Sequence, residues 1–263
     1  MTPALTLLAG ALLVIAALGA WLWRSRREVQ RLRQRGEATA CNLETLQTSF
    51  ARFVPNEVIE RVITSGVSPG AERKEVTALF ADLVGFTALS ESVEPTVLVQ
   101  ILNGYFECMS RAVSDHRGYV STFLGDGILA LFGALQPNPW QANDAVRAAL
   151  AMRSELEGYN KELSDQGLSP LAIGVGLHRG TGVAGLVGSR DLMQFAFVGR
   201  IVNLAARVQD LTRVCDADVL ITEAVRRGLD PRFVLRPMEA ASLRGIEKPV
   251  VTYCVERFES ESS

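Results

Sequence analysis

Histidine is scarce in this sequence and cysteine is thinly spread. Only His116 and His178 occur among 263 residues, in separate segments. Two isolated histidines argue against a Ser-His-Asp triad and against a histidine-based metal centre. The four cysteines, Cys41, Cys108, Cys215 and Cys254, show no metal-ligand spacing and read as ordinary thiols of a reducing compartment. No internal repeat and no low-complexity tract occurs. Charged side chains are absent from residues 1–23, and lysine is absent from Arg117 to Pro137. What is present is ample apolar material, 48% of the chain, with 21% charged residues. That composition excludes collagen-like, disordered and disulfide-scaffold classes and suffices for a buried core.

The uncharged start is a long apolar run from Pro3 to Trp23, broken only by Thr6, Gly10 and Gly19. At helical rise, such a run spans roughly 30 Å, the thickness of a bilayer's hydrocarbon core. Trp21 and Trp23 close it at an interfacial position. Residues 24–35 then hold six arginines against one glutamate, net +5; the whole chain is −2, so the remainder carries −7. The positive-inside rule places everything after the span in the cytoplasm. A cleaved signal peptide would need a charged leading region, which is missing. The expectation is a single-pass anchor in the inner or plasma membrane with a cytoplasmic domain. A basic band beside an acidic domain suits an anionic membrane surface rather than nucleic acid.

Val29, Leu32, Gly36, Thr39, Leu43, Leu46, Phe50 and Phe53 recur in steps of three and four. That seam predicts a parallel two-stranded coil, the plainer alternative being one amphipathic helix on its own domain. A short helix is expected over 57–64, and the Gly/Pro/Ser run at 65–71 ends the linker. Beyond it, Glu75–Leu83 predicts a strand, and the turn Val84-Gly-Phe-Thr87 leads to a helix over 94–115. Tyr119–Leu124 and Ile128–Phe132, joined by Gly125-Asp126-Gly127, predict a hairpin. A helix over 141–164, a strand over 171–178 and a glycine-punctuated stretch over 180–188 come next. A strand over 195–198, a helix from Ile201 to about Leu211 and a last strand over 250–255 complete the pattern. The order β-α-β-β-α-β with additions predicts an α+β fold, a ferredoxin-like split βαβ antiparallel sheet with helices on one face. The expected division is anchor 1–23, basic band and helical linker 24–71, folded domain 72–257 and disordered tail 258–263.

Asp82 ends the first strand, directly before a glycine turn into a helix, a place where backbone N–H groups converge on an anion. Asp126 sits at the tip of the neighbouring hairpin. Two facing carboxylates repel unless a cation lies between them. A hard divalent ion with phosphate as co-ligand fits such a pair. Taken singly, Asp82 would read as a cap and Gly-Asp-Gly as a tight turn; their joint placement outweighs both. Asn203 and Arg207 are four apart on one helix, so they share a face. An amide and a guanidinium there can hold a ribose and neutralise charge on a phosphate, or simply form a solvated face.

The segments FADLVGFT (Phe80–Thr87), FLGDGILALF (Phe123–Phe132), GVGLHRGTGVAGLVGS (Gly174–Ser189) and VGRIVNLAARV (Val198–Val208) resemble, in order, those of the class III nucleotidyl cyclases. FVPNEVIERV (Phe53–Val62), GAERKEVTALFAD (Gly70–Asp82) and LRGIEKPVVTY (Leu243–Tyr253) extend the resemblance over about residues 53–256. It implies that Asp82, Asp126 and the Leu83 carbonyl hold two divalent ions, Mg²⁺ or Mn²⁺, in a two-metal clamp. Gly85, Phe86 and Thr87 would cover the phosphates, with Gly125 beside the second aspartate. Asn203 would orient the ribose, Arg207 would stabilise the transition state, and Arg244 would replace a phosphate-contacting lysine. The implied reaction is ATP to 3′,5′-cyclic AMP and pyrophosphate. Metals from one subunit and Asn/Arg from the other imply a homodimer with shared sites, which favours the coil reading of residues 28–53.

The sequence departs from the family at base recognition. Thr122 stands four residues before Asp126, where adenylyl cyclases carry a lysine; Ala196 stands seven before Asn203, where its Asp, Thr or Ser partner belongs. The Glu and Cys of guanylyl cyclases are not there either. Three readings follow: an adenylate cyclase with atypical base recognition, a cyclase of relaxed purine selectivity that also takes GTP, and a nucleotide-binding relative that signals with little turnover. A membrane-anchored dimeric interaction module with a vestigial pocket is the reading from outside enzymology.

Overall fold

The computed structural model describes residues 71–189, 193–243, 245–246 and 248–259. The apolar span, the basic band, the helical linker and Arg244 lie outside the described residues. Among the described residues no helix is long and apolar enough to cross a membrane.

The chain order is β1 (Glu72–Leu83), α1 (Phe86–Ser92), α2 (Pro95–Asp115), β2 (Gly118–Leu124), β3 (Gly127–Phe132), α3 (Gln141–Asp165) and β4 (Ile173–Gly188). It continues with β5 (Met193–Val198), α4 (Arg200–Cys215), β6 (Val219–Thr222), the single turn α5 (Glu223–Arg226), β7 (Phe233–Pro237) and β8 (Thr252–Phe258). The strands join in one sheet of order β2-β3-β1-β4-β6-β8-β7, with β5 paired to β4. The first four positions reproduce the split βαβ arrangement, since β1 lies between β3 and β4 and is antiparallel to both.

Two expectations need correction. The sheet is mixed, because β4 and β6 run parallel. The chain leaves β4, returns through β5 and crosses by α4, and a helical crossover delivers the next strand in the same direction. Helices also cover both faces. Side chains alternate along a strand, so β1 splits its apolar residues. Leu79, Ala81 and Leu83 join Tyr105 and Met109 of α2 and Ala145, Ala149 and Met152 of α3. Val76 and Ala78 face the other way, against Ile201 and Ala205 of α4. A strand covered on both sides reads as a continuous apolar run, as EVTALFADL does.

Element boundaries follow from local chemistry. Pro95 starts α2, a position where its missing N–H costs nothing. The strand expected over 171–178 and the glycine-punctuated stretch after it form one strand, β4, because β1 and β5 pair with it on either side. Gly176 has a steric task. A Cβ there would overlap the backbone of Gln209 and Ala205, so its absence lets α4 lie directly on β4. That contact fixes how far the exposed face of α4 stands from the ends of β1 and β3. β8 extends to Phe258, one residue into the segment expected to be a tail.

Candidate active site

Strand parity settles where Asp82 points. It shares the even-numbered face of β1 with Val76 and Ala78, the face that α4 covers. Its backbone pairs with Gly174 of β4, and Ala81 beside it pairs with Ile128 of β3. The β2–β3 hairpin turns through Gly125, whose φ of 65° is a left-handed conformation that glycine adopts freely. Asp126 is therefore carried to the side of Asp82. Asp82 Oδ1 lies only 3.3 Å from where a Cβ on Gly127 would stand. Burial pushes the Asp82 carboxyl up to about 6; a hydrogen bond with Asp126 and the charge of Asp126 add to it, and Arg213 opposes. Beneath the pair, Tyr105 of α2 is fully buried and its hydroxyl has no hydrogen-bond partner among the described residues. Burial first, then the charges of Asp82 and Asp126, hold that phenol far above its ordinary range.

The face of α4 opposite its buried stripe carries Asn203 and Arg207, both exposed. Arg207 Nη1 pairs with Asp210 Oδ2 at 3.0 Å. Asp82, Asp126, Asn203 and Arg207 all line one open cleft of about 620 Å³ in the same chain. Phe80, Leu124, Gly245 and Ile246 also line it, so the cleft wall includes the residues on the C-terminal side of Arg244.

The other expected residues are distributed around this cleft rather than in its wall. Gly85 caps α1 in a left-handed conformation with φ 76°, and Phe86 packs on the core beneath. Thr87 is exposed at the first turn, where helix N–H groups lack partners within the helix. Thr122 is half-buried on β2, with its hydroxyl donating to the Phe123 carbonyl at 3.3 Å. Ala196 is half-buried on β5 opposite Gly185. β2 and β5 approach each other through the Tyr119 and Phe195 rings, 6.2 Å apart between centroids.

One residue of consequence is absent from the sequence-based expectations. Arg213 of α4 donates from Nη2 to Asp82 Oδ2 at 3.1 Å and to the Leu83 carbonyl at 3.1 Å. Its position three residues after Asp210 and six after Arg207 was the available signal.

These oxygens fit hard divalent ions. Two adjacent carboxylates, one of them held protonation-prone by burial and then by the other, form a site that a cation relieves. The guanidinium already bridging Asp82 and the Leu83 carbonyl shows that both oxygens face one point where positive charge is favoured. Among the described residues no group of three or more His, Cys, Asp or Glu side chains converges, so the donors are carboxylate and carbonyl oxygen, the set that Mg²⁺ or Mn²⁺ takes.

Comparison with known proteins shows which family the chain resembles. The chain is 36% identical over 210 residues to an adenylate cyclase of Anabaena cylindrica, which covers 77% of this chain and 40% of that protein. It is 34% identical over 199 residues to adenylate cyclase 1 of Rhizobium meliloti, covering 75% of this chain and 30% of that protein. The chain thus spans well under half the length of these curated relatives. Among solved structures, the guanylyl cyclase Cya2 superposes with a TM-score of 0.69 at 31% identity, over 73% of this chain and 96% of that one. The adenylyl cyclase CyaB from P. aeruginosa superposes with a TM-score of 0.69 at 28% identity, over 74% of this chain and all of that one. Residues 69–257 match the adenylate and guanylate cyclase catalytic domain, and the chain belongs to that family.

Proposed function

We propose that this chain converts ATP to 3′,5′-cyclic AMP and pyrophosphate. The observation that carries the reading is the cleft lined by Asp82, Asp126, Asn203 and Arg207, on a fold whose relatives include adenylate cyclases at 36% and 34% identity beside a guanylyl cyclase at 31%. In the reaction a bond forms from the ribose 3′-oxygen to the α-phosphorus, the bond from that phosphorus to the bridging oxygen breaks, and the 3′-hydroxyl proton passes to solvent. Asp82, Asp126 and the Leu83 carbonyl would hold two divalent ions, Mg²⁺ or Mn²⁺. When bound, such ions lower the pKa of the attacking hydroxyl and neutralise the triphosphate. Asn203 orients the ribose by its amide. Arg207 must leave Asp210 to place its guanidinium against charge developing on the phosphate. Gly85 to Thr87 contribute backbone N–H groups to the phosphates, Gly125 shapes the turn beside Asp126, and Arg244 adds a positive charge from the loop that ends at Gly245 and Ile246.

The working unit in this reading is a homodimer. Within one chain Asn203 and Arg207 line the same cleft as Asp82 and Asp126; in the dimer reading they act instead on nucleotide held by Asp82 and Asp126 of the other subunit. The half-exposed Leu124 in the cleft wall supports a surface that a second copy covers. The dimer is tethered by residues 1–23 in the membrane and paired through the seam in residues 28–53. Mixing Asp82→Ala with Arg207→Ala, both inactive alone, is expected to restore one working site per heterodimer. A mixture that stays inactive while both variants fold and associate would refute sharing between subunits.

A second reading is favoured by one feature. Ala196 offers no side-chain hydrogen bond to a purine edge, and the Thr122 hydroxyl donates to the Phe123 carbonyl, so discrimination between ATP and GTP is weakened. Product analysis of the purified full chain in detergent, with ATP and GTP supplied separately at both metals, tests both readings. Cyclic AMP alone supports the first, and both cyclic products support relaxed selectivity. Nucleotide binding without any cyclic product would refute catalysis and leave a nucleotide-responsive signalling module.

A further inference from the structure

Helix α4 carries alternating charge along its open face: Arg207, Asp210 and Arg213, each three residues apart. Arg207 pairs with Asp210 at 3.0 Å, and Arg213 pairs with Asp82 at 3.1 Å. A single nitrogen of Arg213 also reaches the Leu83 carbonyl at 3.1 Å. We propose that Arg213 is a built-in counter-ion that a divalent metal must displace from Asp82 and Leu83, and that Asp210 receives the displaced guanidinium and thereby frees Arg207.

The inference rests on the reading of Asp82, Leu83 and Asp126 as the metal site. A divalent ion would be held by those oxygens directly, leaving no room for a guanidinium hydrogen-bonded to the same atoms. The Arg213 nitrogen that touches both occupies that same space and carries the same sign of charge. Guanidinium does not lose its proton at any working pH, so the conflict is removed only by movement. Arg213 is half-exposed on a long side chain and can swing without unfolding anything. The carboxylate within helical reach is Asp210, one turn earlier. Asp210 also lines the same cleft as Asp82, so both carboxylates face the space the guanidinium occupies. Once Arg213 competes for Asp210, the hold of Asp210 on Arg207 weakens. Metal loading at Asp82 would then release Arg207 of the same chain, about two turns before Arg213 on α4, which in the dimer reading serves the partner's site. A purely structural Arg213 makes a different forecast: its loss would lower stability with and without metal alike.

The experiment is Mn²⁺ binding to the full chain in detergent, without nucleotide, followed by the electron-paramagnetic-resonance signal of free Mn²⁺ and by melting temperature. Wild type, Asp82→Asn, Arg213→Gln, Arg213→Lys, Asp210→Asn and the Asp210→Asn/Arg213→Gln double variant are compared. Arg213→Gln is expected to bind Mn²⁺ about fivefold more tightly, the factor for an ion pair worth about 1 kcal/mol. It should melt below wild type in chelator, with the difference closing at saturating Mn²⁺. Arg213→Lys, which offers one nitrogen without the planar fork, should fall between and stands in if Arg213→Gln does not fold. Asp210→Asn should weaken Mn²⁺ binding more when Arg213 is present than in the double variant. Unchanged or weaker Mn²⁺ binding by Arg213→Gln overturns displacement, and an equal effect of Asp210→Asn in both backgrounds overturns the transfer to Asp210. If wild type and Asp82→Asn bind Mn²⁺ alike, the metal-site reading itself fails, and the displacement proposal falls with it.

Discussion

Asp126→Asn removes one charge from the carboxylate pair while keeping a group that can hydrogen-bond Asp82. In the absence of metal the native domain holds two acids side by side, and Asp82 resists ionisation up to about 6 against an ordinary value of 3.8. With the cleft solvent screening part of it, that difference corresponds to a penalty on the order of 1–2 kcal/mol on the charged form of Asp82. Burial is the first cause, and Asp126 contributes the next two through a hydrogen bond and through charge. Because burial is the larger cause, the share owed to Asp126 is on the order of 1 kcal/mol at most. Asparagine donates an amide hydrogen to the Asp82 carboxylate instead of repelling it. The variant is expected to melt a few degrees above wild type in chelator at about pH 7.5, for a domain of this size. Excess Mn²⁺ should reverse the order, because wild type gains binding energy from the metal and the variant loses a ligand. Cyclase turnover should vanish in the same protein. Circular-dichroism melts in chelator and in Mn²⁺ measure both effects. A variant that melts at or below wild type in chelator would refute the idea that the pair is a stored repulsion awaiting a cation.

Three further outcomes follow from particular contacts. Because the folded pKa of Asp82 lies above its unfolded value, the metal-free fold is favoured at low pH and loses that contribution as pH rises through about 6; the melting-temperature gap between wild type and Asp82→Asn in chelator should change between about pH 4 and 7 and level off above. Gly176→Ala should cost about 3 kcal/mol in denaturant unfolding, since its methyl overlaps the α4 backbone, whereas Gly158→Ala in α3, which meets nothing, should stabilise by up to about 1 kcal/mol. Thr122→Lys combined with Ala196→Thr should raise the ratio of kcat/KM for ATP over GTP by roughly tenfold or more, and an unchanged ratio would show that the base is read elsewhere.

The strands and helices of this domain were legible because the local signals agree with one another. Apolar runs bounded by Gly-Asp-Gly announced the β2–β3 hairpin, and the small-residue periodicity of 141–164 announced α3, which runs Gln141–Asp165. The reach of β4 was not legible, since its glycines read as a break until β1 and β5 were seen pairing on either side of it. The direction of β6 and the second helical face were also hidden. Both depend on where α4 crosses, and α4 lies where it does because Gly176 admits its backbone.

The sequence by itself determined the acid pair, the amide–guanidinium pair on one helix face, the family resemblance and the departure at Thr122 and Ala196. These are matters of residue identity and spacing, and a linear chain displays them directly. Only the tertiary structure decided which charges meet. Arg213 lies 131 positions from Asp82 and touches it because strand parity turns Asp82 toward α4 and a missing Cβ draws α4 in. The unpartnered Tyr105 hydroxyl under the acids has the same origin, for burial and partnership are properties of the packed molecule. Pairing of β1 with β3 brings the carboxylates together, and packing of α4 across the sheet supplies the cation that sits between Asp82 and the Leu83 carbonyl.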